Sequence, residues 1–71
     1  MMLLQEIPKN RQRVIRISID EFAGKRFVNI REWAQRPNAE HAPTHRGTTL
    51  NATTLPAAID ALTRAQQLLE E

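Results

Sequence analysis

The 71-residue chain contains no cysteine. That excludes disulfides and thiolate zinc sites as sources of stability, and it fits a reducing compartment. No apolar run approaches the roughly 20 residues of a membrane span. Met1-Met2-Leu3-Leu4 is too short for a signal h-region, and Glu6 and Pro8 follow at once. The expectation is a soluble, cytosolic protein without a membrane partner. Catalytic patterns are missing too: there is no Ser-His-Asp spacing, phosphate-binding loop or zinc motif. Asp20 and Glu21 are adjacent, so on a strand they point to opposite faces and form no carboxylate pair. His41 and His45 have Pro43 between them, which stops a helix from presenting both, and no third ligand of the usual kind is at hand. No enzyme, cofactor or metal centre is expected. Internal repeats and low-complexity stretches are also absent.

What the chain does have is a hairpin pattern from Ile15 to Trp33. Ile15, Ile17 and Ile19 fall on one face of a strand, Arg16 and Ser18 on the other. After a short linker, Val28 and Ile30 share one face, while Phe27, Asn29, Arg31 and Trp33 share the opposite one. The linker Glu21-Phe22-Ala23-Gly24-Lys25 holds the residue best able to adopt positive φ. Both runs are rich in β-branched and aromatic residues. The expected hairpin thus has an apolar face and a basic, partly aromatic one.

Around it, residues 1–8 read as a loose tail. Lys9 to Arg13 is a basic lead-in that is expected to join the first strand. Ala34 to Pro43 is polar, carries two prolines and reads as a long loop, with room for a short strand around Glu40 to Ala42. Thr48-Thr49-Leu50 suits a short last strand, so the sheet is placed in residues 9–50 of a single domain spanning 9–71. A helix is placed over 53–69, with Leu55, Ala58, Ile59, Leu62, Ala65 and Leu69 on one stripe. Thr53 or Thr54, or alternatively Asn51, would cap it, leaving Pro56 in the first turn. An apolar helix stripe on an apolar sheet face would make a two-layer α+β domain. The stripe could equally bind a second helix. A chain this short buries only about 60% of its unfolded surface, so dimerisation is the expected supplement.

The net charge is only +2, but from Lys9 to Arg31 seven cations face two acids. The C-terminal stretch instead sets Arg64 against Asp60, Glu70 and Glu71. A basic sheet beside an acidic helix suits a polyanion on the sheet, although a merely solvated strand face is also open. Phe22 is unusual at a turn. It is either folded back on the sheet or exposed as a stacking platform for a nucleobase. Gly24 allows close backbone approach and Lys25 offers a charge to phosphate, while turn geometry alone would also explain the glycine. A lone Trp33 is more often core or interface than platform.

The runs Ile17-Ser18-Ile19-Asp20-Glu21-Phe22-Ala23-Gly24-Lys25, Val28-Asn29-Ile30-Arg31-Glu32-Trp33 and Pro43-Thr44-His45-Arg46-Gly47, before a short strand and a helix, resemble the positive cofactor 4 family. Ile7-Pro8-Lys9-Asn10 looks like the start of its small bacterial members. These are transcriptional coactivator domains that bind single-stranded DNA. The resemblance covers roughly Ile7 to Leu69. It implies a curved four-stranded antiparallel sheet followed by one C-terminal helix, paired into a homodimer. It also implies Phe22 as a base-stacking residue, with Gly24 and Lys25 at the turn, Arg31 on the sheet, and His45 and Arg46 in a basic loop. The chain departs from the family at Ala23 and Ala42, where Lys is often found, at Ala34, where an aromatic is common, and at His45, where Lys or Arg is usual. Each lost cation removes a phosphate contact, so weaker binding and a shallower salt dependence are expected.

The functional expectation is a non-enzymatic homodimer, joined through the C-terminal helix and a sheet edge. It would hold single-stranded DNA and act with the transcription machinery as a coactivator or regulator, or in genome maintenance. It would be nucleoid-associated in a bacterium and nuclear in a eukaryote. Bases would stack on Phe22 and Trp33, and Arg13, Arg16, Lys25, Arg31 and Arg46 would neutralise phosphates, with Gly24 and His45 beside them. Two other readings stay open: an RNA-binding or RNA-chaperone module on the same surface, and a protein-interaction dimer that has lost nucleic-acid binding.

Overall fold

A computed structural model describes all 71 residues. Four strands come first: β1 (Met2–Pro8), β2 (Arg13–Phe22), β3 (Lys25–Arg36) and β4 (Ala39–Leu50). Helix α1 (Leu55–Leu69) follows. The strands form one antiparallel sheet in the order β1-β2-β3-β4. This is the expected α+β class, with a four-stranded antiparallel sheet and one C-terminal helix.

The hairpin register is unbroken from Arg13 opposite Ala34 to Phe22 opposite Lys25. Residues directly opposite share a face, so the sheet has two distinct sides. One carries Arg16, Ser18, Asp20 and Phe22 of β2 against Arg31, Asn29, Phe27 and Lys25 of β3. The other carries Ile15, Ile17 and Ile19, with Val28 and Ile30 of β3 and Leu50 of β4. Ile7 joins the apolar side opposite Ile15, and Glu6 joins the polar side opposite Arg16.

Several expected boundaries move. The tail expected over residues 1–8 is in fact edge strand β1, paired with β2 as far as Met2 opposite Ile19. Pro8 is tolerated at the end of an edge strand, where its missing donor removes no interior ladder bond. The expected long loop after Trp33 is a two-residue turn. Asn38, at φ 58, follows Pro37, the pairing a type II turn favours. β3 therefore runs to Arg36, and β4 is a full twelve residues from Ala39.

The two-layer packing is not present. α1 buries no residue, and Ile59, Leu62 and Leu69 of its apolar stripe are all exposed. The chain is a slab of 40 × 39 × 18 Å whose single buried residue is Ser18. One short helix at the end of the sheet cannot cover a face built from ten- and twelve-residue strands. Before the helix, Asn51 Oδ1 accepts hydrogen bonds from the Thr53 and Thr54 backbone N–H groups at 2.9 and 3.0 Å. Thr54 occupies the N-cap position without a side-chain cap bond, so Asn51 organises the turn into Leu55.

Candidate nucleic-acid interface

The turn at the hairpin tip has positive φ at both central residues, 54° at Ala23 and 78° at Gly24, the pattern of a type I′ turn. A Cβ on Gly24 would meet nothing within 4 Å, so the glycine is required by its φ and not by space. The turn ends β2 at Phe22 and starts β3 at Lys25, directly opposite each other on the polar face. Phe22 is 79% exposed. It is not folded back onto the sheet, and its ring is open to a flat ligand. Lys25 beside it is exposed and forms no ion pair.

Further along this face, Arg31 is fixed by a relay. Its Nε donates to Asn29 Oδ1 at 3.2 Å and its Nη1 to the Thr44 carbonyl at 3.0 Å. Asn29 Nδ2 in turn donates to Asp20 Oδ2 at 3.0 Å. The guanidinium is thus held in place without a carboxylate directly on it.

The Pro43-Thr44-His45-Arg46-Gly47 segment holds this arrangement together. The β3–β4 register shifts between Arg31 and Trp33, opposite Gly47 and Pro43, which leaves a bulge. Thr44 closes it. Its Oγ1 donates to the Glu32 carbonyl at 2.9 Å and accepts from the Arg46 N–H at 3.1 Å. Gly47 lies against β3 so closely that an added Cβ would sit 2.5 Å from the Ile30 carbonyl oxygen. His45 and Arg46 are exposed on the bulge.

At the other end of the face, Trp33 is half-buried opposite Val14, and the Arg16 guanidinium lies 4.5 Å over its ring. Arg16 Nε also donates to Glu6 Oε1 at 2.8 Å.

The structure therefore gathers Arg16, Phe22, Gly24, Lys25, Arg31 and Trp33 on one face or at its turn. Arg13 is not among them. It lies opposite Ala34 on the apolar side, with its Nε 3.8 Å from Glu32 Oε1. Lys9 Nζ reaches the same carboxylate at 3.0 Å. Its hydrogen bond holds the Glu32 carboxyl below the usual glutamate value, against the opposing effect of partial burial and with help from the charges of Lys9, Arg46 and Arg13. Glu32 thus pairs with two of the chain's cations, Lys9 and Arg13, away from Phe22. Sequence reasoning also leaves Phe27, Asn29 and Glu6 out of the site. The period-two pattern already puts Phe27 and Asn29 on this face, whereas Glu6 needs the β1–β2 pairing.

The same fold is found in known proteins. The structure resembles a PC4 homologue from Burkholderia pseudomallei, BPSL1147, in two crystal forms. In the tetragonal form the TM-score is 0.82 at 25% identity, covering 90% of this chain and 94% of that one. In the orthorhombic form the TM-score is 0.83 at 25% identity, covering 90% and 86%. It is also similar to the bacteriophage T5 homologue of the eukaryotic transcription coactivator PC4, implicated in recombination-dependent DNA replication. There the TM-score is 0.60 at 26% identity, covering 93% of this chain and 76% of that one. No curated protein sequence matches. The family model described as Transcriptional Coactivator p15 (PC4) matches residues 9–61, well over half of the sequence, and the chain belongs to that family.

Proposed function

We propose that this protein is a homodimer that binds single-stranded DNA without catalysing a reaction, and that it acts as a transcriptional coactivator or regulator, or in genome maintenance. One observation carries the reading: an exposed Phe22 ring, Lys25 and a fixed Arg31 lie on a single sheet face. Unpaired bases offer π-faces that a duplex has already stacked, and phosphates need cations beside them. α1 is a poor reader of a major groove, since it carries Arg64, already 3.4 Å from Asp60, as its one cation. Membership of the family supports the nucleic-acid reading. The replication role attached to the phage T5 relative supports genome maintenance beside transcription.

The dimer is supported by what one chain leaves uncovered. Ile59, Leu62 and Leu69 are exposed on α1, the isoleucine face of the sheet is only half-buried, and no apolar residue is fully buried. A second copy that covers the helix stripe and a sheet edge would supply the missing core. Bacterial and phage relatives favour a cytoplasmic, nucleoid-side location; no helix is long and apolar enough to cross a membrane. The test is a competition experiment in which single-stranded DNA, duplex DNA and single-stranded RNA of matched sequence displace a labelled oligonucleotide. Single-stranded DNA is expected to displace best. Preferred displacement by RNA would move the assignment to an RNA-binding module, and no binding of any of the three would leave a protein-interaction dimer. Sedimentation at micromolar concentration is expected to give about twice the chain mass.

A further inference from the structure

The polar face has two ends that differ in how accessible they are. At the hairpin tip, Phe22 and Lys25 stand open. At the far end, Arg16 and Trp33 are occupied by the protein itself: Glu6 Oε1 accepts from Arg16 Nε at 2.8 Å, and the guanidinium covers the Trp33 ring at 4.5 Å. The pairing is built into the fold, because Glu6 and Arg16 stand directly opposite each other in the β1–β2 register. Arg31, by contrast, bonds only a neutral side chain and a carbonyl oxygen.

A carboxylate and a phosphate make the same demand on a guanidinium, and one competes with the other. A guanidinium stacked on an indole also takes the ring face that a base would use. We infer that Glu6 is an intramolecular stand-in for phosphate, a latch that keeps Arg16 and Trp33 out of use until a strand laid along the face displaces it. This inference rests on the single-strand reading of the same face and adds its regulation. Salt weakens the exposed Glu6–Arg16 pair as it weakens the attraction to phosphate. The latch therefore flattens the salt dependence of binding, since raising salt loosens the competitor along with the ligand.

The test uses the wild-type chain, Glu6→Gln, Arg16→Gln and the double variant with oligothymidylate over a range of salt, following affinity and the fluorescence of Trp33, the single tryptophan of the chain. Circular dichroism confirms the sheet in each. Glu6→Gln is expected to bind roughly two- to fivefold tighter at low salt, the worth of an exposed ion pair. Its log–log salt slope should steepen by about 0.7 per chain that contacts the strand, because each chain's Arg16 then neutralises one more phosphate, and the Trp33 response should be larger. In the Arg16→Gln background, Glu6→Gln should give none of these three changes. Unchanged or weaker binding by Glu6→Gln at the same slope, in a wild type that does bind, overturns the latch alone. A tighter affinity that persists without Arg16 also overturns it, by making Glu6 a generic negative charge. A wild type that binds no oligothymidylate overturns the functional reading and the latch together.

Discussion

The two sides of this sheet are built from the same strands in the same register, yet only one is complete in a single chain. On the polar side, side chains answer one another: Asp20 with Asn29, Asn29 with Arg31, Glu6 with Arg16, Arg16 with Trp33. On the apolar side, Ile15, Ile17, Ile19, Val28 and Ile30 have no second layer over them, and α1 buries none of its own residues. Polar groups can be satisfied pairwise by close neighbours in the sheet, whereas apolar area has to be removed from water by a second layer. The polar side can therefore be organised for a ligand before one arrives, whereas the apolar side of a single chain stays only half-buried.

The largest effect is expected from breaking the apolar side. In the proposed dimer, where a second copy covers the exposed Leu62, Leu62→Ala should lower stability by about 2–5 kcal/mol per chain, the usual cost of truncating a leucine in a core, and shift the protein toward monomer. Leu68→Ala, off the stripe, should do much less. Denaturation at several protein concentrations, with sedimentation, distinguishes them; equal effects would mean the stripe is not the interface.

On the polar side, Phe22→Ala should weaken single-strand binding by roughly 1–3 kcal/mol per stacked base lost, with folding unchanged. A variant that unfolds instead would place Phe22 in a core. Gly47→Ala should cost about 1–3 kcal/mol by overpacking against the Ile30 carbonyl. Hydrogen exchange should then show loosened β3–β4 amides around Arg31, whereas unchanged protection would mean the bulge absorbs the methyl group.

The smallest effect comes from Glu32, on the apolar side opposite Ile15. Its carboxyl sits below the ordinary value because Lys9 donates to it, so the folded chain favours the ionised form. A depressed acid contributes stability above its unfolded value, near 4.5 here, and loses it as pH falls through the folded value. Glu32→Gln should flatten the acid limb of the stability curve in that window. An unchanged acid limb would remove the role assigned to the Lys9–Glu32 pair.

The parts legible in the sequence are those governed by local period. The hairpin, its two faces and the helix stripe follow from alternation and i, i+3, i+4 spacing among Ile15 to Trp33 and Leu55 to Leu69. Strand β1 is not legible, because Met1 to Leu4 shows no alternation and is ordered by pairing with β2. The two prolines around Asn38 suggest a loop, yet Pro37 makes a tight turn and Pro43 sits on an edge strand next to a bulge. Charge alone assigns Arg13 to the site. Its register puts it on the apolar side, against Glu32, a partner more than a dozen residues away that spacing does not reveal. Gly47 stands in a recognisable motif, but its close approach to Ile30 requires β3 and β4 side by side.

The central claim is that one face combines stacking with phosphate neutralisation, and a salt series tests it most directly. Affinities for single-stranded and duplex DNA of equal length would be measured from about 50 to 200 mM salt, where the weakening of phosphate binding becomes large. Duplex binding should be weak at the low end and fade steeply, while single-strand binding keeps a salt-resistant part from Phe22. Equal affinities at every salt concentration would contradict the account, leaving Phe22 without a base to stack on and the sheet as an undiscriminating cationic surface.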